Sequence, residues 1–166
     1  MKTTRIVIAL LTFAQISSPG WIAAGEKSDT TTDMAWTVEL PMGFDAAMEK
    51  LTQALSAEQF SIVSRVEMHT IFKKKLDKDV PPHVILGACN SKLAFKAVSA
   101  VPEASLMLPC PVTIRAIDAD TTVVQIGNPD AIMEMSGLDL NPIVAEVGDE
   151  AGARLARVVE ALQNLS

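Results

Sequence analysis

Val84-Ile85-Leu86-Gly87-Ala88-Cys89, directly after Pro81-Pro82-His83, is the stretch from which the rest of the chain can be placed. It is too short for a helix of ordinary length and too uniformly apolar for a strand wetted on one face. A run of this kind suits a strand covered on both faces. Downstream, Leu93, Ala94, Ala97 and Val98 fit a short helix. Leu106, Leu108, Cys110, Val112 and Ile114 then share one parity, so a strand is predicted with Cys110 on the same face as its aliphatic neighbours. Pro109 and Pro111 fall on the other parity. Proline donates nothing to a ladder, which predicts an edge or a bulge here. Asp118-Ala119-Asp120 turns the chain into a last strand with Val123, Val124 and Ile126.

Upstream, Phe60, Ile62, Val66 and Met68 also share a parity and predict a strand. Between it and Pro81, Lys73, Lys74, Lys75 and Lys78 form a basic knot interrupted by Asp77 and Asp79, read as a solvated loop or helical turn rather than an anion site. Phe44, Ala47, Met48, Leu51 and Leu55 recur at helical spacing, and Trp36, Val38 and Leu40 alternate as a first strand. Asn128-Pro129 and Asn141-Pro142 each place a good N-cap before a proline at the first helical position, and Gly137 can stop the first of these two helices. The second carries Val144, Val147, Ala151, Leu155, Val158 and Leu162 on one face. Gly148 and Gly152 on that helix indicate close packing rather than a dimer seam. The order is β-α-β-β-α-β-β-α-α, without internal repeats.

The start of the chain reads differently. Lys2 and Arg5 precede the apolar run Ile6–Ala14. Ser17-Ser18-Pro19-Gly20 breaks that run, and Ile22-Ala23-Ala24 offers a small residue at a cut. Residues 1–24 therefore have the layout of a secretory signal peptide. The apolar run is about half the ~20 residues of a membrane span. Periplasmic or secreted localisation is expected, with no membrane span after cleavage near Gly25. Residues 25–34 form a polar, flexible lead-in and residues 35–166 a single domain. The whole chain of 166 residues has 14 basic and 20 acidic residues and a charge of −6; loss of Lys2 and Arg5 leaves 12 basic residues and a charge of −8. That acidity argues against nucleic acid as a partner, and aromatics at 4% with no Tyr argue against a stacking platform for bases or sugars. Hydrophobic residues at 49% are ample for a packed core.

Val84-Ile85-Leu86-Gly87-Ala88-Cys89-Asn90, Leu108-Pro109-Cys110-Pro111-Val112 and Asn128-Pro129, together with the helix that opens at Phe44 and ends before Phe60, resemble the DUF302 family. The resemblance spans Val38 to Leu162. The two Cys segments look like the subgroup in which glycine-alanine-cysteine-asparagine-proline replaces glycine-asparagine-proline. The chain departs from the family pattern at Ser91, where proline is usual, and at Gln59 and Ala119, where glycine is. The resemblance implies an α+β fold: an antiparallel sheet of about five strands with helices packed on one face, similar to the TATA-binding-protein-like class. It implies no nucleic-acid activity and supplies no catalytic residue.

Cys89 and Cys110 end one predicted strand and begin another, with a short helix between them, so their sulfurs can meet. Three readings stay open. In an exported protein with two cysteines a structural disulfide is the default, and closing a loop of about twenty residues would stabilise by roughly 3 kcal/mol. Alternatively both are buried, reduced packing residues. In the third reading they form a redox pair or a soft-metal site for copper or zinc, with Met107 and His83 as further ligands and Met68 and His69 as outlying donors. Met133 and Met135 add sulfur but read as core filler. The spacing is not C-x-x-C, so the thioredoxin mechanism has no motif here.

No nucleophile elbow, zinc-protease helix or phosphate-cradling glycine loop occurs. Asp118, Asp120, Glu146, Asp149 and Glu150 read as hydrated surface. No catalysis and no cofactor are expected. Two functions follow. The first is a non-catalytic binding or interaction module offering an apolar groove between sheet and helices, or a homodimer face. The alternative is a thiol-redox or soft-metal-handling protein built on Cys89 and Cys110.

Overall fold

A computed structural model of the chain describes residues 34–165. The expected signal peptide and nearly all of the lead-in lie outside the described residues.

Five strands form one antiparallel sheet: β1 (Ala35–Leu40), β2 (Ser61–Glu67), β3 (His83–Cys89), β4 (Cys110–Ala116) and β5 (Thr122–Gly127). Their spatial order is β1-β5-β4-β3-β2. β2 to β5 form a meander, and β1 closes it by pairing with the last strand, Val38 opposite Val124. Among the described residues there are also five helices: α1 (Phe44–Ala57), α2 (Met68–Leu76), α3 (Ser91–Ala100), α4 (Pro129–Ser136) and α5 (Pro142–Gln163). Short 3-10 segments occupy Pro102–Met107 and Leu138–Leu140.

Alternation sorts each strand between two faces. Val38, Leu40, Val84, Leu86, Val112, Ile114, Val124 and Ile126 point to one face and are buried against Leu51 and Leu55 of α1 and Leu155, Val158 and Leu162 of α5. The opposite face is polar along its middle: Gln125 Nε2 donates to Thr37 Oγ1 (3.3 Å), and Thr113 Oγ1 donates to Gln125 Oε1 (3.4 Å). The sheet is therefore packed on one side. This corrects the expectation that the β3 run is covered on both faces: Val84, Leu86 and Ala88 are buried, whereas Ile85 and Cys89 are only partly so.

Further expectations change. The strand through Phe60 loses its parity at a bulge between Ile62 and Ser64, which turns Val66 outward (40% exposed) and leaves Val63 59% exposed. Met68 is not its end but the start of α2. The basic knot is the last turn of that helix, where Lys73, Lys74 and Lys75 face the helix's negative end and Asp77 (φ 51°) takes the left-handed cap position. The strand expected from Leu106 begins only at Cys110. Pro102 instead opens a 3-10 segment, locked by Ser105 Oγ donating to Pro102 O (2.7 Å), and Leu106 is 84% exposed. Finally, β4 is a central strand rather than an edge. Pro109 precedes it, and Pro111 stands one residue before the β4–β5 register begins at Val112↔Ile126, so neither proline costs the β5 ladder a donor.

Candidate functional site

The two strand ends that carry the cysteines lie at one end of the sheet. Gly87 pairs with Pro111 and Ala88 with Cys110. Gly87 is required there, because a Cβ would collide with the Pro109 ring and Ser64 Oγ. Around this end stand α3, the Pro102–Met107 segment, α4 and the first half of α5, and between them runs an apolar cleft. Each wall has a local cause. Asn90 caps α3, its Oδ1 accepting from the backbone N–H groups of Lys92 (3.2 Å) and Leu93 (3.3 Å). Asn128 Oδ1 accepts from Asp130 N (3.2 Å) at the start of α4. Asn141 Oδ1 accepts from Ile143 N (3.0 Å) and Val144 N (3.2 Å) at the start of α5. Gly137, at φ 69°, ends α4 as its sequence position predicts.

The glycines of α5 seat α4. A Cβ at Gly148 would lie 2.6 Å from Met133 Sδ, and one at Gly152 would lie 3.1 Å from both carboxylate oxygens of Asp130. The spacing thus serves close packing within the chain. Burial, with Asp149 nearby, pushes the Asp130 carboxyl above its usual range.

The cleft holds about 650 Å³ of unfilled space counting its open mouth. Phe60, Leu93, Ala97, Ile132, Val144 and Val147 are among its lining residues, and no charged residue lines it. Three sulfurs do: Met107, Met133 and Cys110. Its one side-chain amide is Asn90, 6% exposed. With Oδ1 committed to the α3 cap, the orientation of that carboxamide is settled, and Nδ2 has no protein acceptor among the described residues.

Cys110 packs against the core beside Ala88, and burial pushes its thiol up to about 11. Cys89 follows Ala88 on β3 and pairs with Ser61. Alternation puts it on the other face of the sheet, away from the cleft; burial raises its thiol as well. Both cysteines are free thiols in the structure. They are neighbours through the sheet rather than partners on one face, whereas a disulfide needs the two Cβ atoms turned toward each other. The expectation that both cysteines are buried is corrected: each is only partly buried, with Cys89 on the face opposite Cys110.

Of the other predicted ligands, Met107 shares the cleft with Cys110, and His83 does not. His83 is at the far end of β3, roughly 16 Å from Ala88 at the usual rise per residue. There His69 Nδ1 lies 3.2 Å from His83 N and 3.0 Å from His83 O, close to Met68 at the start of α2. Burial and the Arg115 charge hold the His83 imidazole below its usual range. Among the described residues no cluster of three or more His, Cys, Asp or Glu side chains is placed to hold a metal. Asn90 and Met133 belong to the site and were not predicted as site residues. Their sequence signals, a helix cap and core filler, are complete structural explanations by themselves.

The family described as "Domain of unknown function DUF302" matches residues 36–162. The chain belongs to the DUF302 family. A crystal structure of an uncharacterised conserved DUF302 protein from Bacillus stearothermophilus is similar to it at 22% identity, covering 78% of this chain and 98% of that one, with a TM-score of 0.68. That likeness carries the fold. A comparison with curated proteins finds no match. This DUF302 chain therefore has the antiparallel five-stranded α+β architecture that the sequence resemblance implied. Among the described residues, no helix is long and apolar enough to cross a membrane.

Proposed function

We propose that this protein is an exported, non-catalytic binding module whose site is the apolar cleft at the Cys110 end of the sheet. One observation carries the reading: a cleft open to solvent, walled by aliphatic and thioether side chains with no charged group, between elements whose ends are firmly capped. Ligand sites are concave, mostly apolar and marked by few polar groups. Two other depressions differ in kind. One is crossed by the Lys96–Glu146 ion pair (2.7 Å), and another surrounds Lys73, which pairs with Asp77 and Asp79. Such ion-paired surfaces are ordinary solvated protein exterior.

The test is binding of an environment-sensitive neutral apolar dye, N-phenyl-1-naphthylamine, to the native protein and to Ala94→Trp. Ala94 lines the cleft and is partly exposed, so an indole there fills the mouth without overpacking the core. Saturable dye fluorescence that Ala94→Trp removes, with an unchanged melting temperature, is the expected result. Equal dye binding by both proteins would overturn the reading.

A second reading rests on the sulfurs. Cys110, Met107 and Met133 line one cleft, and a thiolate with two thioethers is a donor set that favours Cu(I). Binding a metal would have to displace the proton from a thiol that burial holds at about 11. Titration of the reduced protein with Cu(I) against a competing chelator tests it: uptake lost in Cys110→Ser and kept in Cys89→Ser is expected.

A further inference from the structure

We infer that the cleft selects a neutral aliphatic molecule carrying one carbonyl oxygen, which Asn90 Nδ2 recognises by donating a hydrogen bond; this rests on the apolar-cleft reading above. Asn90 is 6% exposed and lines the cleft. Its carboxamide cannot rotate to satisfy itself, because Oδ1 already accepts the Lys92 and Leu93 backbone N–H groups that begin α3. A flip would place an NH2 against two N–H donors. The Nδ2 protons are thus fixed in place, and Nδ2 has no protein acceptor among the described residues. No side-chain nitrogen or oxygen sealed from solvent lacks a partner among the described residues, so Nδ2 is not sealed. The residue's small accessible surface includes this donor.

A buried donor that the protein leaves unpaired is satisfied by water or by a ligand acceptor. The surroundings select the acceptor. No lysine, arginine or histidine lines the cleft, so a carboxylate would lose its hydration there without gaining a counter-charge. Asp130, beside the cleft on the first turn of α4, and Asp149 on α5 add negative charge nearby. Anions are disfavoured twice. A neutral carbonyl offers the one acceptor that the one donor can use, and the aliphatic remainder meets Leu93, Ile132, Val144 and Val147.

The experiment compares 2-octanone, 1-octene and octanoate as displacers of the cleft dye from the native protein and from Asn90→Asp. Aspartate keeps an oxygen at the cap of α3 and exchanges the donor for a charged carboxylate oxygen, so the fold is expected to persist, and the 1-octene arm separates the effect of the added charge from loss of the donor. For 2-octanone, Asn90→Asp is expected to weaken binding about three- to tenfold, the scale of one hydrogen bond, while 1-octene is unaffected. Octanoate is expected to bind the native protein more weakly than 2-octanone. A shift of the Asn90 side-chain amide resonance on adding 2-octanone, absent with 1-octene, gives the same answer without a variant. Equal loss for both neutral probes, no change for either, or tightest binding by octanoate would overturn the carbonyl assignment while leaving the cleft in place. Failure of all three to displace the dye would overturn the cleft reading itself.

Discussion

Gln59 carries the clearest backbone cost in the fold. It follows α1 at φ 65°, a left-handed conformation that favours glycine. The reason is the way the helix ends: Phe60 N donates to Leu55 O (2.9 Å) and Gln59 N to Ser56 O (3.0 Å), a nested pair of bonds that needs Gln59 left-handed. Burial of Phe60 and Leu55 in the same core holds the motif in place. Gln59→Gly is therefore expected to raise stability by about 1 kcal/mol, strain relief outweighing the added freedom of the unfolded chain. Denaturant unfolding measures it, and a lower midpoint would contradict it. The opposite sign applies inside the core. Leu51 is fully buried between helix and sheet, so Leu51→Ala is expected to cost about 2–5 kcal/mol in the same assay.

At the level of elements, α1 and α5 are joined by one ion pair as well as by packing. Arg157 Nε donates to Glu58 Oε1 (3.0 Å) and Arg157 Nη2 to Glu58 Oε2 (2.8 Å), while Arg154 Nη1 reaches the Glu58 carbonyl (3.4 Å). These bonds hold the Glu58 carboxyl below its ordinary value of 4.5. A depressed carboxyl pKa adds stability above the unfolded value, and this is lost as pH falls below about 4.5 toward the folded value. Arg157 is half-exposed, so solvent screens the pair and the contribution is small. Glu58→Gln is expected to unfold earlier than the native protein at pH 7, with the difference shrinking as the pH is lowered through that window. Elements with caps were legible in the sequence for the same reason they are stable: Asn128-Pro129, Asn141-Pro142 and Gly137 act through local bonds. What was not legible depends on distant partners. The bulge at Ile62/Ser64 is set by pairing with β3, and α2 has no buried residue whose spacing could announce it. Leu106 looked like core because its parity matched Val112, yet the 3-10 segment between them breaks the alternation.

For the molecule as a whole, the decisive asymmetry is a sheet with one face buried under α1 and α5 and the other polar along its middle, and the two cysteines report on it from either side. Cys110 is on the covered side with a thiol raised to about 11, so at pH 8 about one molecule in a thousand carries the thiolate there. Cys89 is on the other side, more accessible, with a smaller rise. Which residues line one cavity is a property of the assembled sheet, and so the pair that looked equivalent in sequence differs in the fold. Alkylation of the native protein with iodoacetamide at pH 8 is expected to modify Cys89 first and Cys110 at least about tenfold more slowly, as thiolate fraction and access both favour Cys89. In denaturant the two rates are expected to converge. Protecting the cleft with a bound apolar ligand should slow Cys110 further and leave Cys89 unchanged, which separates shielding by the site from shielding by the fold. Two thiols reacting at one rate in the native state would contradict the assignment of faces. A native protein with no titratable thiol would instead require the strands to shift so that the two sulfurs bond.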